Sequence, residues 1–162
     1  MKIKLILYNL LIIIILVYSI HTLTRDDKKD NNNTGYENRS HLINKSLATP
    51  ENPVKSPSGK YLLIIENGYD GVIHYNQFKI INIDSQNNII SVEYKSDYKY
   101  RTRDTLYFLW DLYDRVWIYS GDIGTTYWEK SNNNLWLKHI YRVTDIPAPD
   151  LLKELRPKYH TQ

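Results

Sequence analysis

The sequence predicts a mainly β fold: an antiparallel meander of about seven strands, forming a blade-like sheet or a small sandwich. Between Ser58 and Ile146, short β-branched and aromatic runs alternate with clusters of Asn, Asp, Gly and Ser. The clusters are too short to hold crossover helices, so consecutive strands must pair antiparallel. No proline falls between Ser58 and Ile146, so the ladders can run unbroken.

Each element follows in order. Lys60–Glu66 (KYLLIIE) suits a strand buried on both faces. Asn67-Gly68-Tyr69-Asp70-Gly71 is a turn, because Asn-Gly and Asp-Gly accept positive φ. Val72–Ile83 alternates apolar and polar residues, Asp84–Asn88 turns the chain, and Ile89–Tyr94 is the next strand. Thr105–Trp110 precedes a turn at Asp111-Leu112-Tyr113-Asp114. Arg115–Tyr119 then alternates, with Val116 and Ile118 on one face and Trp117 and Tyr119 on the other. Ser120–Gly124 turns again, and Thr125–Glu129 and Leu135–Tyr141 are strands separated by Ser131–Asn134. After Pro147-Ala148-Pro149, Asp150 can cap a short helix with Leu151, Leu152 and Leu155 as its apolar stripe; Pro157 would end it.

The chain divides into four segments: 1–20, 21–57, 58–146 and 147–162. The first carries Lys2 and Lys4, then an aliphatic run from Ile3 to Ile20 broken only by Lys4, Tyr8, Asn9, Tyr18 and Ser19. A helix of about 18 residues is about 27 Å long, close to the hydrocarbon thickness of a bilayer. The segment is therefore read as a single-pass transmembrane signal-anchor. Its very short basic flank favours a cytoplasmic amino terminus and an extracytoplasmic body. The alternative is a cleaved signal peptide, with Val17-Tyr18-Ser19 as the cleavage region and a secreted product. Residues 21–57 read as a disordered polar tether, with the run Asp26–Asn33, mixed charges and Pro50, Pro53 and Pro57.

Composition narrows the function classes. The chain has no cysteine, which excludes disulfides, thiol catalysis and cysteine-ligated zinc. The net charge of +3 is dispersed: residues 58–146 carry ten basic and eleven acidic side chains. Nucleic-acid binding needs clustered bases, and Lys99-Tyr100-Arg101-Thr102-Arg103 is flanked by Asp97 and Asp104. No nucleic-acid partner is expected. His74 and His139 lack a third spaced ligand, and no phosphate-binding or nucleophile motif occurs, so no metal or cofactor is expected.

One short motif carries a resemblance. Ser56-Pro57-Ser58-Gly59-Lys60-Tyr61-Leu62 resembles the Ser-Pro-Asp-Gly-Lys strand openings of TolB-like β-propeller blades, with Ser58 in place of Asp. The resemblance implies a Pro-initiated turn, a positive-φ Gly and a blade-like meander, and it implies no activity. A closed propeller needs about four or more four-stranded blades, more than this chain can supply.

The densest aromatic region, Tyr107–Trp136, is punctuated by acids. Most of its rings read as core. Trp110, Tyr113, Asp114, Arg115, Trp117 and Asp122 are the candidate contact strip, with Trp110 and Tyr113 expected to be exposed beside a turn. The reading is a non-enzymatic binding module at a membrane, with a protein or envelope component as partner. Two alternatives stand beside it: a glycan hydrolase using two of Asp104, Asp111, Asp114 and Asp122, and an accessory subunit of a membrane assembly.

Overall fold

The computed structural model describes residue 39 and residues 41–160. The chain separates into two units, residues 1–42 and 43–162, and the account below concerns the second. The proposed membrane segment and most of the tether lie outside the described residues. Among the described residues, no helix is long and apolar enough to cross a membrane.

Among the described residues the fold is mainly β, with nine strands in two antiparallel sheets. The first sheet contains β1 (Val54–Lys55), β2 (Tyr61–Tyr69), β3 (His74–Ile83) and β4 (Ile89–Lys95) in sequence order; β5 (Tyr100–Arg101) also pairs with β3. The second contains β6 (Leu106–Trp110), β7 (Val116–Ser120), β8 (Gly124–Lys130) and β9 (Trp136–Ile140), again in order. Seven of the nine coincide with the runs read from sequence. The additional two, β1 and β5, are two-residue strands too short for any periodicity to reveal.

Four hairpins share one turn. In each, the fourth residue donates its N–H to the carbonyl of the first: Gly59 to Ser56, Asn87 to Asp84, Asp114 to Asp111 and Asn134 to Ser131. That fourth residue has φ of 76°, 69°, 59° and 61° respectively. This is a type I turn followed by a left-handed residue, a geometry that suits Gly, Asn and Asp. The pattern occurs at the first and third connections of both sheets, so the two meanders are built alike. The β2–β3 hairpin differs. Asn67 and Gly68 remain in strand, paired with Asn76 and Tyr75, and the chain reverses after Tyr69. The Tyr75 ring lies over Gly68, so a side chain there would require that ring to move.

The core lies between the sheets. Leu63, Ile65, Phe78, Ile80 and Tyr100 of the first meet Phe108, Val116, Ile118 and Trp128 of the second. The Phe78 and Trp128 rings cross edge to face at 4.9 Å, and Tyr100 meets Phe108 likewise at 5.4 Å. Two indole N–H groups in this core find acceptors, Trp128 Nε1 donating to the Tyr94 hydroxyl and Trp110 Nε1 to the Val54 carbonyl, whereas that of Trp136 has none among the described residues.

The other face of the second sheet is buried too. Leu109, Trp117, Tyr119 and Tyr127 pack against Tyr141, Ala148 and Leu152. This cover is a 3₁₀ turn (Tyr141–Val143), α1 (Asp150–Leu155) and α2 (Pro157–His160). Asp150 is the first residue of α1 rather than its cap; Pro157 ends that helix and opens the next. Residues 47–57, assigned from composition to the tether, are placed on the sheets. Ala48 is buried and donates its N–H to the Phe108 carbonyl, and β1 pairs with β2. The apolar Leu47, Ala48 and Val54 are the residues that composition averaged away.

Candidate functional site

The turn of the β6–β7 hairpin carries three of the six strip residues. Its organiser is Asp111, a buried carboxylate at the end of β6. Oδ1 accepts the backbone N–H of Tyr113 (2.9 Å) and of Arg115 (3.0 Å). Oδ2 accepts Arg115 Nε (2.6 Å) and Trp117 Nε1 (2.8 Å). Four donors thus satisfy one buried charge, as burial of a carboxylate requires. The guanidinium of Arg115 also lies 5.0 Å from the centre of the Tyr113 ring. Asp114 takes the left-handed position, and its Oδ1 accepts the N–H of Ser58 (3.0 Å) from the β1–β2 hairpin. The corresponding turns of the two sheets are therefore joined at one end of the fold.

This frame holds two large apolar side chains in water. Leu112 is 85% exposed and Tyr113 is 78% exposed. Clefts lie on either side of the tip. One, of about 430 Å³, runs from Leu109, Leu112 and Tyr113 to Pro147, Pro149 and Leu151. The other, of about 360 Å³, runs from Tyr113 and Asp114 to Tyr61 and Trp136.

The remaining strip residues lie outside this turn. Trp110, expected to be exposed, is buried, because β6 lies in the sheet-to-sheet core and its indole bonds to Val54. Trp117 is fully buried, because its face of the second sheet is covered by the chain after β9. Asp122 is exposed in the β7–β8 turn, at the far end of the strand from Asp111. It borders a separate cleft of about 430 Å³ with Tyr119, Tyr141, Arg142 and Tyr159. The six residues therefore do not form one surface; Tyr113, Asp114 and Arg115 do come together.

The four acids of the hydrolase alternative divide in the same way. Asp111 has both oxygens bonded to the hairpin, with Asp114 beside it, whereas Asp104 and Asp122 adjoin the opposite end of β6 and β7. Among the described residues, no group of three His, Asp or Glu side chains could hold a metal ion. Between the sheets, Lys130 Nζ donates to Glu93 Oε2 (2.7 Å); this bond raises the lysine pKa and lowers that of the glutamate, so both stay charged.

Sequence reasoning missed Leu112, Tyr61, Lys60 and Trp136 as surface or cleft residues. Leu112 had a usable signal: a large apolar residue inside a turn whose other positions are polar. Tyr61, Lys60 and Trp136 had none, since they meet only when β2 and β9 are brought together from distant parts of the chain. No family model, curated protein or solved structure matches the chain.

Proposed function

We propose that this chain is a non-enzymatic binding module whose contact surface is the tip of the β6–β7 hairpin, Leu112 and Tyr113. A single observation carries the reading: the buried Asp111 carboxylate fixes the backbone of a turn that leaves two large apolar side chains in water. Rigid, exposed apolar anchors lose little entropy on contact, and aromatic residues are enriched where binding energy concentrates. A protein or an envelope component is the partner class that suits such an anchor. The aliphatic run 3–20 would hold the module at a membrane as a single-pass anchor, with the body extracytoplasmic.

The test places a photo-crosslinking residue at Tyr113 in the full chain, and separately at Val72, which is equally exposed on the β2–β3 turn. A discrete adduct from position 113, lost when Leu112 is changed to Asp, is the expected result. Equal labelling from both positions, or none from position 113, would overturn the reading.

A further inference from the structure

In an antiparallel meander alternate connections fall at the same end, so the four shared turns lie together. Hydrogen bonds tie them. Ile83 donates its N–H to the Lys60 carbonyl, Lys55 Nζ donates to Asn87 Oδ1 (2.8 Å), and Ser58 donates its N–H to Asp114 Oδ1. The fourth turn, Ser131–Asn134, follows Lys130, whose Nζ donates to the Tyr61 hydroxyl near the first turn (3.3 Å).

The surface of this end is apolar and poor in free charge. Leu112 and Tyr113 are the central residues of one turn, Ile89 and Ile90 follow another, and Leu135 follows a third; all five are exposed. The polar residues at the turns are mostly neutral, such as Gln86, Asn87, Asn132 and Asn133. The acids are engaged with backbone: Asp84 accepts the N–H groups of Gln86 and Asn88, Asp111 is buried, and Asp114 accepts Ser58. Lys55 and Lys60 are exposed, on stems long enough to keep an ammonium in water beside an apolar layer. The opposite end exposes Val72 and Ile123 but also Arg101, Arg103 and Asp122.

The chain enters at the apolar end. The second unit begins at Ile43, and Ser46 lines the same cleft as Leu112 and Tyr113. Only residues 21–42 separate this unit from the aliphatic run 3–20, a length that spans no more than about 75 Å fully extended.

A lipid surface fits both observations. Tyrosine is enriched at membrane–water interfaces, exposed Leu and Ile favour the acyl boundary, and neutral amides need not shed a charge to meet head groups. We propose that this four-turn end rests on the bilayer that holds residues 3–20, with Leu112 and Tyr113 inserted at the boundary of head groups and acyl chains. The inference rests on the reading of this tip as the contact surface and names the lipid surface as its envelope component. Two side chains bind a bilayer weakly by themselves. Attachment of the same chain to that bilayer makes the contact intramolecular and raises its effective concentration.

The test uses the full chain in phosphatidylcholine vesicles that carry a lipid with a shallow nitroxide quencher. Because the chain has no cysteine, Asn133→Cys and, in a second protein, Val72→Cys each take a single fluorophore, at opposite ends of the fold. The expected result is quenching at position 133 and little at position 72. Leu112→Asp or Tyr113→Asp, both at exposed positions, should each lower the docked-to-undocked ratio at position 133 about tenfold, the loss of one buried apolar side chain. Equal quenching at the two positions, none at 133, or quenching that survives both substitutions overturns the inference. So does quenching at 133 that requires phosphatidylglycerol and vanishes in high salt, since that contact is electrostatic. A protein adduct from the crosslinker at position 113, with position 133 unquenched, leaves the contact-surface reading in place and removes the bilayer as its partner. No adduct and no quenching removes both.

Discussion

The first sheet is aliphatic and covered on one face, whereas the second is aromatic and covered on both. In β2 the core side holds Leu63 and Ile65, while Leu62 and Ile64 on the outer side are only half-buried. Farther out on that sheet, Ile89 and Val92 of β4 are exposed. In β7 all five residues from Val116 to Ser120 are buried. The cause is position in the layering: the second sheet lies between the first sheet and the chain of residues 141–160, so its central strands have neither face free, and Leu137 and Ile140 are exposed only on the edge strand β9. A sheet in the middle of three layers can offer a partner only its turns, ends and edge. That is why its exposed aromatic residue, Tyr113, sits in a hairpin, and why its tryptophans are structural.

The largest effect that tests this contrast is at Trp117. Trp117→Ala should cost about 3–5 kcal/mol in a denaturant titration, because it empties a closed site and removes one of the four donors to Asp111. Ile64→Ala on the outer face of β2 should cost only about 1 kcal/mol. Equal losses would mean that the first sheet's outer face is covered after all.

A smaller difference separates the shared turns. Asp111→Ala removes a buried carboxylate from four donors and leaves Arg115 and Trp117 unpaired, a loss of about 3 kcal/mol. Asp84 makes the same turn in the first sheet, accepting Gln86 and Asn88 N–H groups, but in solvent. Asp84→Ala should cost distinctly less in the same titration, since water replaces the carboxylate. A reversed order would remove Asp111 as organiser of the tip.

The smallest effect is on pH. His160 is buried against Tyr119 and Tyr141, and that burial lowers its pKa from an ordinary value near 6.5. Its Nδ1–H donates to the Arg156 carbonyl, which can only accept, so Nε2 accepts from the Thr125 hydroxyl. The neutral ring is the form that fits, although the Arg156 and Leu152 carbonyls offset part of the effect of burial. Above pH 6.5 both folded and unfolded chains hold it neutral, and it contributes no pH dependence. Below 6.5 the unfolded chain takes up a proton that the folded one resists, so stability falls until the folded pKa is reached. Stability curves from pH 7 to pH 5 should show this slope, and His160→Gln should flatten it. An unchanged slope in the variant would place its source elsewhere.

How much was legible depended on range. The seven long strands were readable because their apolar runs are bounded by turn residues with local mechanisms, as at Asp84–Asn88 and Ser131–Leu135. Tyr113 was readable as exposed for the same reason. Burial on the second face of a strand was not. Lys60–Glu66 looked suited to burial on both sides and is covered on one; Arg115–Tyr119 looked alternating and is buried from Val116 onward. Tyrosine and tryptophan obscure that distinction, since each has a large apolar body and a polar atom that reads equally well as surface or core. The cleft between Tyr61 and Trp136 joins residues 75 positions apart in the chain, a separation no local pattern reports.

The sequence by itself determined the strand runs, most of the turn positions, the antiparallel order and the lack of cysteine chemistry, because each follows from neighbouring residues. Tertiary structure decided which sheet became the middle layer and which tryptophans were enclosed. Those outcomes depend on contacts between distant segments, where the free energy of burial is shared by residues that the sequence keeps apart.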